Sequence, residues 1–261
     1  MNKVIKIYCE GKAGSSDFDL IEKTIDGLPV IISPIGGKRG AKSAIQVHES
    51  GTAKSNFKMF FRDRDFDAPV PDVEGLIRDG SYVYYSYRTT IENYLIDLET
   101  VESYSTGKGW NSESLRNDFY NAAKNIKYFQ AMRHTLGKMR VPTDFGTNIM
   151  EKSGQLPESL EQEYCRERGF AKIEQSIEKT NTWNKVKYDA VFDEFINLFS
   201  DEFIEADRFL IYFQGKDFMK SLCRELPGFS PKDYYNFAKV KFDYTRFADF
   251  REMRTIIESK I

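Results

Sequence analysis

Three cysteines, Cys9, Cys165 and Cys223, are too few and too scattered for a disulfide framework, and none stands in the C-x-x-C spacing of a thiolate metal site. Histidine is scarcer still: only His48 and His134 occur, both in segments that read as helical, with no second His or Cys at ligand spacing, which disfavours zinc. A reducing, cytoplasmic setting is the expectation. No run of about 18 to 20 uncharged apolar residues is present, so no membrane-spanning helix and no membrane partner is expected. The opening MNKVIKIYCEGK lacks the long apolar stretch and cleavage pattern of a signal peptide and reads as a first strand. A dominant charge is missing too. With 38 Lys and Arg against 40 Asp and Glu, the net charge of -2 exerts no bulk pull toward nucleic acid, and any basic surface must be local. The G-x-x-x-x-G-K-[ST] pattern is absent, which rejects a P-loop nucleotide site. Internal repeats and low-complexity tracts are absent as well.

What is present is a 261-residue chain with 41% apolar residues, enough to bury a sizeable core. Residues 4–9, 29–35, 57–61 and 82–87 read as short buried strands, with helical patterns at 15–25 and 42–49 between them. Strands alternating with helices at such intervals imply an α/β fold with a mainly parallel sheet covered by helices. The pattern changes after Glu92. Residues 91–101, 112–136, 156–179, 183–199, 216–226 and 244–261 carry apolar residues at helical spacing, and Gly and Pro punctuate the gaps between them. The expected division is an α/β catalytic domain over 1–100 and a mostly helical part over 101–261.

Ligands of open α/β sheets bind outside the carboxyl ends of the parallel strands. Three strand exits are polar here: Glu10-Gly11-Lys12 after the first strand, Asp63-Arg64-Asp65-Phe66-Asp67 after the third, and Arg88-Thr89-Thr90-Ile91-Glu92 after the fourth. If the first and third strands are neighbours, Glu10, Asp63 and Asp65 surround one volume of high negative charge, which calls for a cation. Oxygen-only ligands on a strand edge suit Mg²⁺ or Mn²⁺. One or two such ions can polarise a phosphodiester oxygen and neutralise charge on the attacking and leaving oxygens. Asp67 reads either as a further group toward the metal or as a solvated loop residue. Glu92 reads either as a group of the metal site or as a carboxylate placed favourably at a helix start. The basic turn Lys38-Arg39-Gly40-Ala41-Lys42 precedes a helical segment, where freed amides and Lys38 can receive phosphate oxygens. Arg88 is placed to pair with Glu92 or to hold a phosphate.

These residues resemble the TOPRIM domain, the catalytic fold of topoisomerases, bacterial primases and OLD-type nucleases. Its Glu-Gly after strand one and D-x-D after strand three match Glu10-Gly11 and Asp63-Arg64-Asp65. With the GGK turn and the R-x-x-I-E-N-Y-L segment at residues 88–95, the chain looks like the AriB-like TOPRIM effectors of PARIS anti-phage defence. The resemblance covers residues 3–97, and Gln214-Gly215-Lys216-Asp217 more loosely. It implies that Glu10 acts as metal ligand or general base, that Asp63 and Asp65 hold Mg²⁺, and that Lys216 stabilises transition-state charge, although on its helical segment Lys216 also reads as a surface lysine. It also implies an AriA-like ABC-type ATPase that holds and releases the effector, a substrate that is tRNA or another cellular nucleic acid, and a helical part serving docking and homodimerisation. Arg64 adds a positive charge inside the motif, which suits phosphate binding or else neutralises the site.

Two other readings of the residues stay open. In one, the chain is an aspartate-nucleophile phosphohydrolase, since D-x-D after a strand also serves that chemistry, although there it usually follows the first strand. In the other, it is a non-catalytic module whose carboxylates fix a structural ion or a basic partner face.

Overall fold

The computed structural model describes residues 4–36, 57–106, 108–139, 152–177 and 184–261. Lys38, His48 and the helix expected over 42–49 lie outside them. Five strands form one sheet in the order β2-β1-β3-β5-β4. They are β1 Ile5–Cys9, β2 Val30–Pro34, β3 Phe57–Arg62, β4 Ile77–Asp79 and β5 Val83–Tyr85. The pairs β1/β2, β1/β3 and β3/β5 are parallel, and β4/β5 is antiparallel. The chain is therefore an α/β protein with a mostly parallel sheet. β1 and β3 occupy the centre because they are apolar on both faces, as covered parallel strands must be. Ile5, Ile7, Tyr8 and Cys9 are buried in β1, as are Met59, Phe60 and Phe61 in β3. Tyr8 and Phe60 are register partners, and their rings stack at 4.6 Å. The edge strand β4 is an addition to the expected four, since three residues are too short to show an alternating pattern.

Ten α-helices are present among the described residues. The first, α1, is Ser16–Thr24, with Asp17 and Asp19 in its first turn and Lys23 in its last, each sign matched to the helix dipole. The single helix expected over 91–101 is corrected to two elements. A 3-10 turn spans Ile91–Leu95, and α2, Leu98–Ser105, starts afresh because Asp97 caps it, accepting the Thr100 N–H at 2.8 Å. The remaining helices are α3 Ser112–Met139, α4 Gln162–Ile177, α5 Lys185–Leu198, α6 Asp201–Glu205, α7 Phe209–Tyr212, α8 Gly215–Glu225, α9 Pro231–Lys241 and α10 Ala248–Glu258. Pro231 reads as a breaker in the sequence, yet it is the first residue of α9, where its missing N–H costs nothing. The terminal segment 244–261 likewise begins as a 3-10 turn, Tyr244–Arg246, capped by Asp243, before α10 forms.

The chain divides into two compact units. One is built from the described residues of Met1–Arg64, Val70–Leu95 and Tyr235–Ile261, and the other from those of Asp65–Pro69 and Ile96–Tyr234. The sheet belongs to the first, together with α10, whose Phe250 packs on Phe61 of β3 at 5.8 Å. The second is helical and organised on α3, which packs against α4, α5 and α8. No described helix is long and apolar enough to cross a membrane.

One buried group in the helical unit works against stability. The Tyr188 hydroxyl on α5 is buried with no hydrogen-bond partner among the described residues, and a Cβ added at Gly169 of α4 would stand 1.9 Å from it. Tyr188→Phe is expected to leave stability unchanged or raise it by about 1 kcal/mol, because the desolvation of an unsatisfied hydroxyl disappears while the ring packing stays. Urea denaturation of the two proteins checks this, and a loss of stability would reveal a partner for the hydroxyl.

Candidate functional site

The register that sets Tyr8 opposite Phe60 brings Glu10 beside the end of β3. Glu10 Oε1 accepts from Arg62 Nε at 2.8 Å, with the side chains 22% and 13% exposed. The Arg62 guanidinium also lies over the Tyr85 ring, 5.4 Å from its centre. At Gly11, which follows, a side chain would displace the groups packed around it. Its N–H donates to Asp17 Oδ2 at 2.5 Å, and a Cβ would stand 2.1 Å from Asp17 Oδ1 and 2.2 Å from Ser15 Oγ. Asp17 thus ties the β1 exit to the first turn of α1. Gly11→Ala is expected to cost about 1 to 3 kcal/mol through this overpacking, read as a fall in the denaturation midpoint. Cys9, just inside the strand, is buried, and burial, then the charges of Asp17 and Glu10, push its thiol up to about 12.

At the β3 exit the carboxylates have different tasks. Asp63 Oδ1 accepts the Ile91 N–H at 2.9 Å and so caps the 3-10 turn. Arg64 turns inward and is 1% exposed. Its N–H donates to Ser86 Oγ at 3.1 Å, its Nε to the Tyr87 carbonyl at 3.0 Å and its Nη2 to Thr89 Oγ1 at 3.0 Å. The arginine inside the D-x-D motif therefore ties β3 to the segment that follows β5. Asp65 adopts a left-handed backbone, φ 46°, a region that Asp tolerates better than most residues. It belongs to the helical unit, where its Oδ1 accepts from Gln214 Nε2 at 3.2 Å. Asp67, two residues further on, is half-buried.

No protein-family model matches this chain, and no curated protein matches it either.

The segment after β5 forms a hydrogen-bonded polar knot. The Arg88 N–H donates to the Tyr94 hydroxyl at 2.8 Å, its Nη1 donates to the Asn93 carbonyl at 2.7 Å, and its guanidinium lies over the rings of Tyr94 and Phe247. Arg88 is thus committed to its own loop. Glu92 is buried in the first turn of the 3-10 element. Asn93 Oδ1 accepts from Thr90 Oγ1 at 2.6 Å. Beneath the knot lies Asp249 of α10, fully buried, which accepts from the Tyr94 hydroxyl and from the N–H groups of Tyr87 and Phe250, each of these at 3.0 Å. Burial pushes the Asp249 carboxyl above its usual range, while these hydrogen bonds pull it down. The Tyr94 phenol is held well above its ordinary value by burial and by Asp249. Sequence reasoning missed Asp249, whose only signal is an acid in line with the apolar Phe250, Met253 and Ile257 of one helix.

Lys216 is exposed in the first turn of α8. Among the described residues, no group of three or more His, Cys, Asp and Glu side chains is gathered as a metal site. The chemistry of Glu10, Asp63 and Asp65 nonetheless fits Mg²⁺ or Mn²⁺. All are hard oxygen donors, and Mg²⁺ binds through one or two carboxylates while keeping several waters.

Proposed function

We propose that the chain is a Mg²⁺- or Mn²⁺-dependent nuclease of the kind its TOPRIM resemblance implies. One observation carries the reading: the adjacent parallel strands β1 and β3 end on Glu10 and Asp63, at the edge where open α/β sheets bind ligands. When bound, a cation there polarises a phosphodiester oxygen and offsets charge on the attacking and leaving oxygens. Glu10 ligates it or takes the proton of the attacking water, and Asp63 holds it while capping the 3-10 turn with its other role. Asp65 follows on the same segment as a further ligand, with Asp67 and Glu92 as supporting carboxylates. Lys38 and Lys216 meet substrate phosphates, whereas the commitments of Arg88 speak for a role in shaping the loop. In this reading the substrate is tRNA or another cellular nucleic acid. The enzyme acts in anti-phage defence as a homodimer, held until needed by an ABC-type ATPase.

The test is cleavage of tRNA, other RNA and DNA by the purified chain in Mg²⁺ or Mn²⁺, against the same reactions in EDTA. Growth on expression is followed in parallel, with and without a neighbouring ATPase gene. Metal-dependent cleavage, together with toxicity lost in Glu10→Ala, is the expected result. Neither cleavage nor toxicity in any of these settings would favour a binding module.

A further inference from the structure

The helical unit buries a chain of polar side chains that packing alone does not require. Asp217, in the first turn of α8, is fully buried. Its Oδ1 accepts the Gly154 N–H at 2.6 Å, and its Oδ2 accepts from Gln130 Nε2 at 2.9 Å and lies 3.2 Å from Arg133 Nη1. Gln130 Oε1 in turn accepts the Gln214 N–H at 2.9 Å. The Gln214 amide is used at both ends: Oε1 accepts the Lys216 N–H at 3.3 Å, and Nε2 donates to Asp65 Oδ1 at 3.2 Å. Gln130, Arg133, Gln214 and Asp217 are each 3% exposed or less.

A buried ion pair is often matched or bettered in stability by apolar residues of the same volume, and Arg133 Nε and Nη1 are buried without a hydrogen-bond partner among the described residues, so stability alone does not account for this network. This one leads to a single carboxylate of the D-x-D motif. The neighbouring backbone is anchored independently. Phe66 packs edge-on to His134 at 4.9 Å and under the Arg133 guanidinium at 5.1 Å. It sits on Gly137 of α3, where a Cβ would come within 2.5 Å of the Phe66 Cβ. A glycine inside a helix costs about 1 kcal/mol against alanine, so α3 gives up stability where Phe66 is seated. Phe66 fixes the chain, and Gln214 fixes the carboxylate.

We infer that Gln214, held in turn by Gln130 and Asp217, is a positioning residue that orients the Asp65 carboxylate for a divalent cation. The inference rests on the proposed function only in taking Asp65 as a ligand. Gln214 touches neither cation nor substrate; it acts by restricting the rotamers of Asp65, so its removal weakens cation binding more than it slows the loaded enzyme.

The experiment measures Mn²⁺ binding to the full chain by electron paramagnetic resonance of the free ion, without nucleic acid. It also measures the Mn²⁺ concentration giving half-maximal cleavage, for wild type, Asp65→Ala, Gln214→Met and Gln214→Glu. Gln214→Met keeps the length and removes the donor, and is expected to weaken Mn²⁺ binding about 10-fold with kcat at saturating Mn²⁺ largely kept. Gln214→Glu sets carboxylate against carboxylate and is expected to bind less tightly still. Wild-type affinity in Gln214→Met, with Asp65→Ala impaired, overturns the positioning role and leaves the nuclease reading standing. Wild-type affinity in Asp65→Ala overturns the positioning role and leaves a site built on Glu10 and Asp63 standing, whereas no Mn²⁺ binding and no cleavage by the wild type overturns both. Should the Gln214 variants fail to fold, the side-chain amide of Gln214 in the nuclear magnetic resonance spectrum decides. Asp65→Asn is expected to shift it, and an unmoved signal overturns the proposal.

Discussion

Alanine at Glu10 is expected to lower metal-dependent cleavage by at least about 100-fold, the scale of a lost general base or ligand. The same change should barely alter stability. Glu10 is paired with Arg62 at 2.8 Å, but both side chains keep some exposure, and such pairs contribute about 0 to 1 kcal/mol. The melting temperature should therefore move by no more than about 4 °C. Asp63 needs a gentler substitution. Its Oδ1 caps the Ile91 N–H, and alanine there would remove a cap at a cost of about 1 kcal/mol along with the charge. Asp63→Asn keeps an acceptor for the Ile91 N–H and loses only the ionised ligand, so it should abolish cleavage in a folded protein. The pair of variants also separates two chemistries. An aspartate-nucleophile phosphohydrolase would lose activity with Asp63, keep it in Glu10→Ala, and yield a covalent aspartyl-phosphate trapped by metal fluorides. Cleavage at the wild-type rate in Glu10→Ala would sink the nuclease reading.

The parts of this fold legible in the sequence are those where local pattern and tertiary burial agree. β1 and β3 are short apolar runs that end on charge, and they sit where such runs must, at the centre of a parallel sheet. Their polar exits could be named without knowing the partner of either. Elements set by a single local interaction were harder. Asp97 restarts a helix in the middle of one apolar pattern, and Pro231 begins a helix although it reads as a stop. Partners set by long-range contact left no sequence signal. Gln214 meets Asp65 across 149 residues, and Asp249 meets Tyr94 across 155. In the sequence, Gln214 precedes a helical segment and carries no sign of its partner; the packing of α3 and α8 makes it a buried donor. The C-terminal helix α10 groups with the sheet rather than with the helices before it, a choice that its own amphipathic pattern does not encode.

Arg64 carries the largest expected effect on stability. Between two aspartates it reads as a phosphate-binding or site-neutralising charge, yet it is 1% exposed and its guanidinium donates to the Tyr87 carbonyl and to Thr89 Oγ1, each at 3.0 Å. Hydrogen bonds from a charged donor contribute about 1.5 to 3 kcal/mol each, and removing the donor leaves both acceptors buried. Arg64→Met, which fills a similar volume without donors, is therefore expected to cost about 3 to 5 kcal/mol in urea denaturation. Arg64→Lys should recover only part of this, because a single ammonium cannot reproduce the fork that reaches two acceptors at once. The motif should suffer as a consequence of the loosened loop. With Arg64 gone, the segment after β5 that presents Ile91 to Asp63 loses one of its ties to β3, so cleavage should fall together with stability and recover partly in Arg64→Lys. A phosphate-binding arginine behaves in the opposite way: Arg64→Met would keep its stability within about 1 kcal/mol, and the loss would appear as a raised KM for nucleic acid that deepens with salt. Comparing the denaturation midpoint with KM in the same two variants decides whether the positive charge inside the D-x-D motif serves the fold or the substrate.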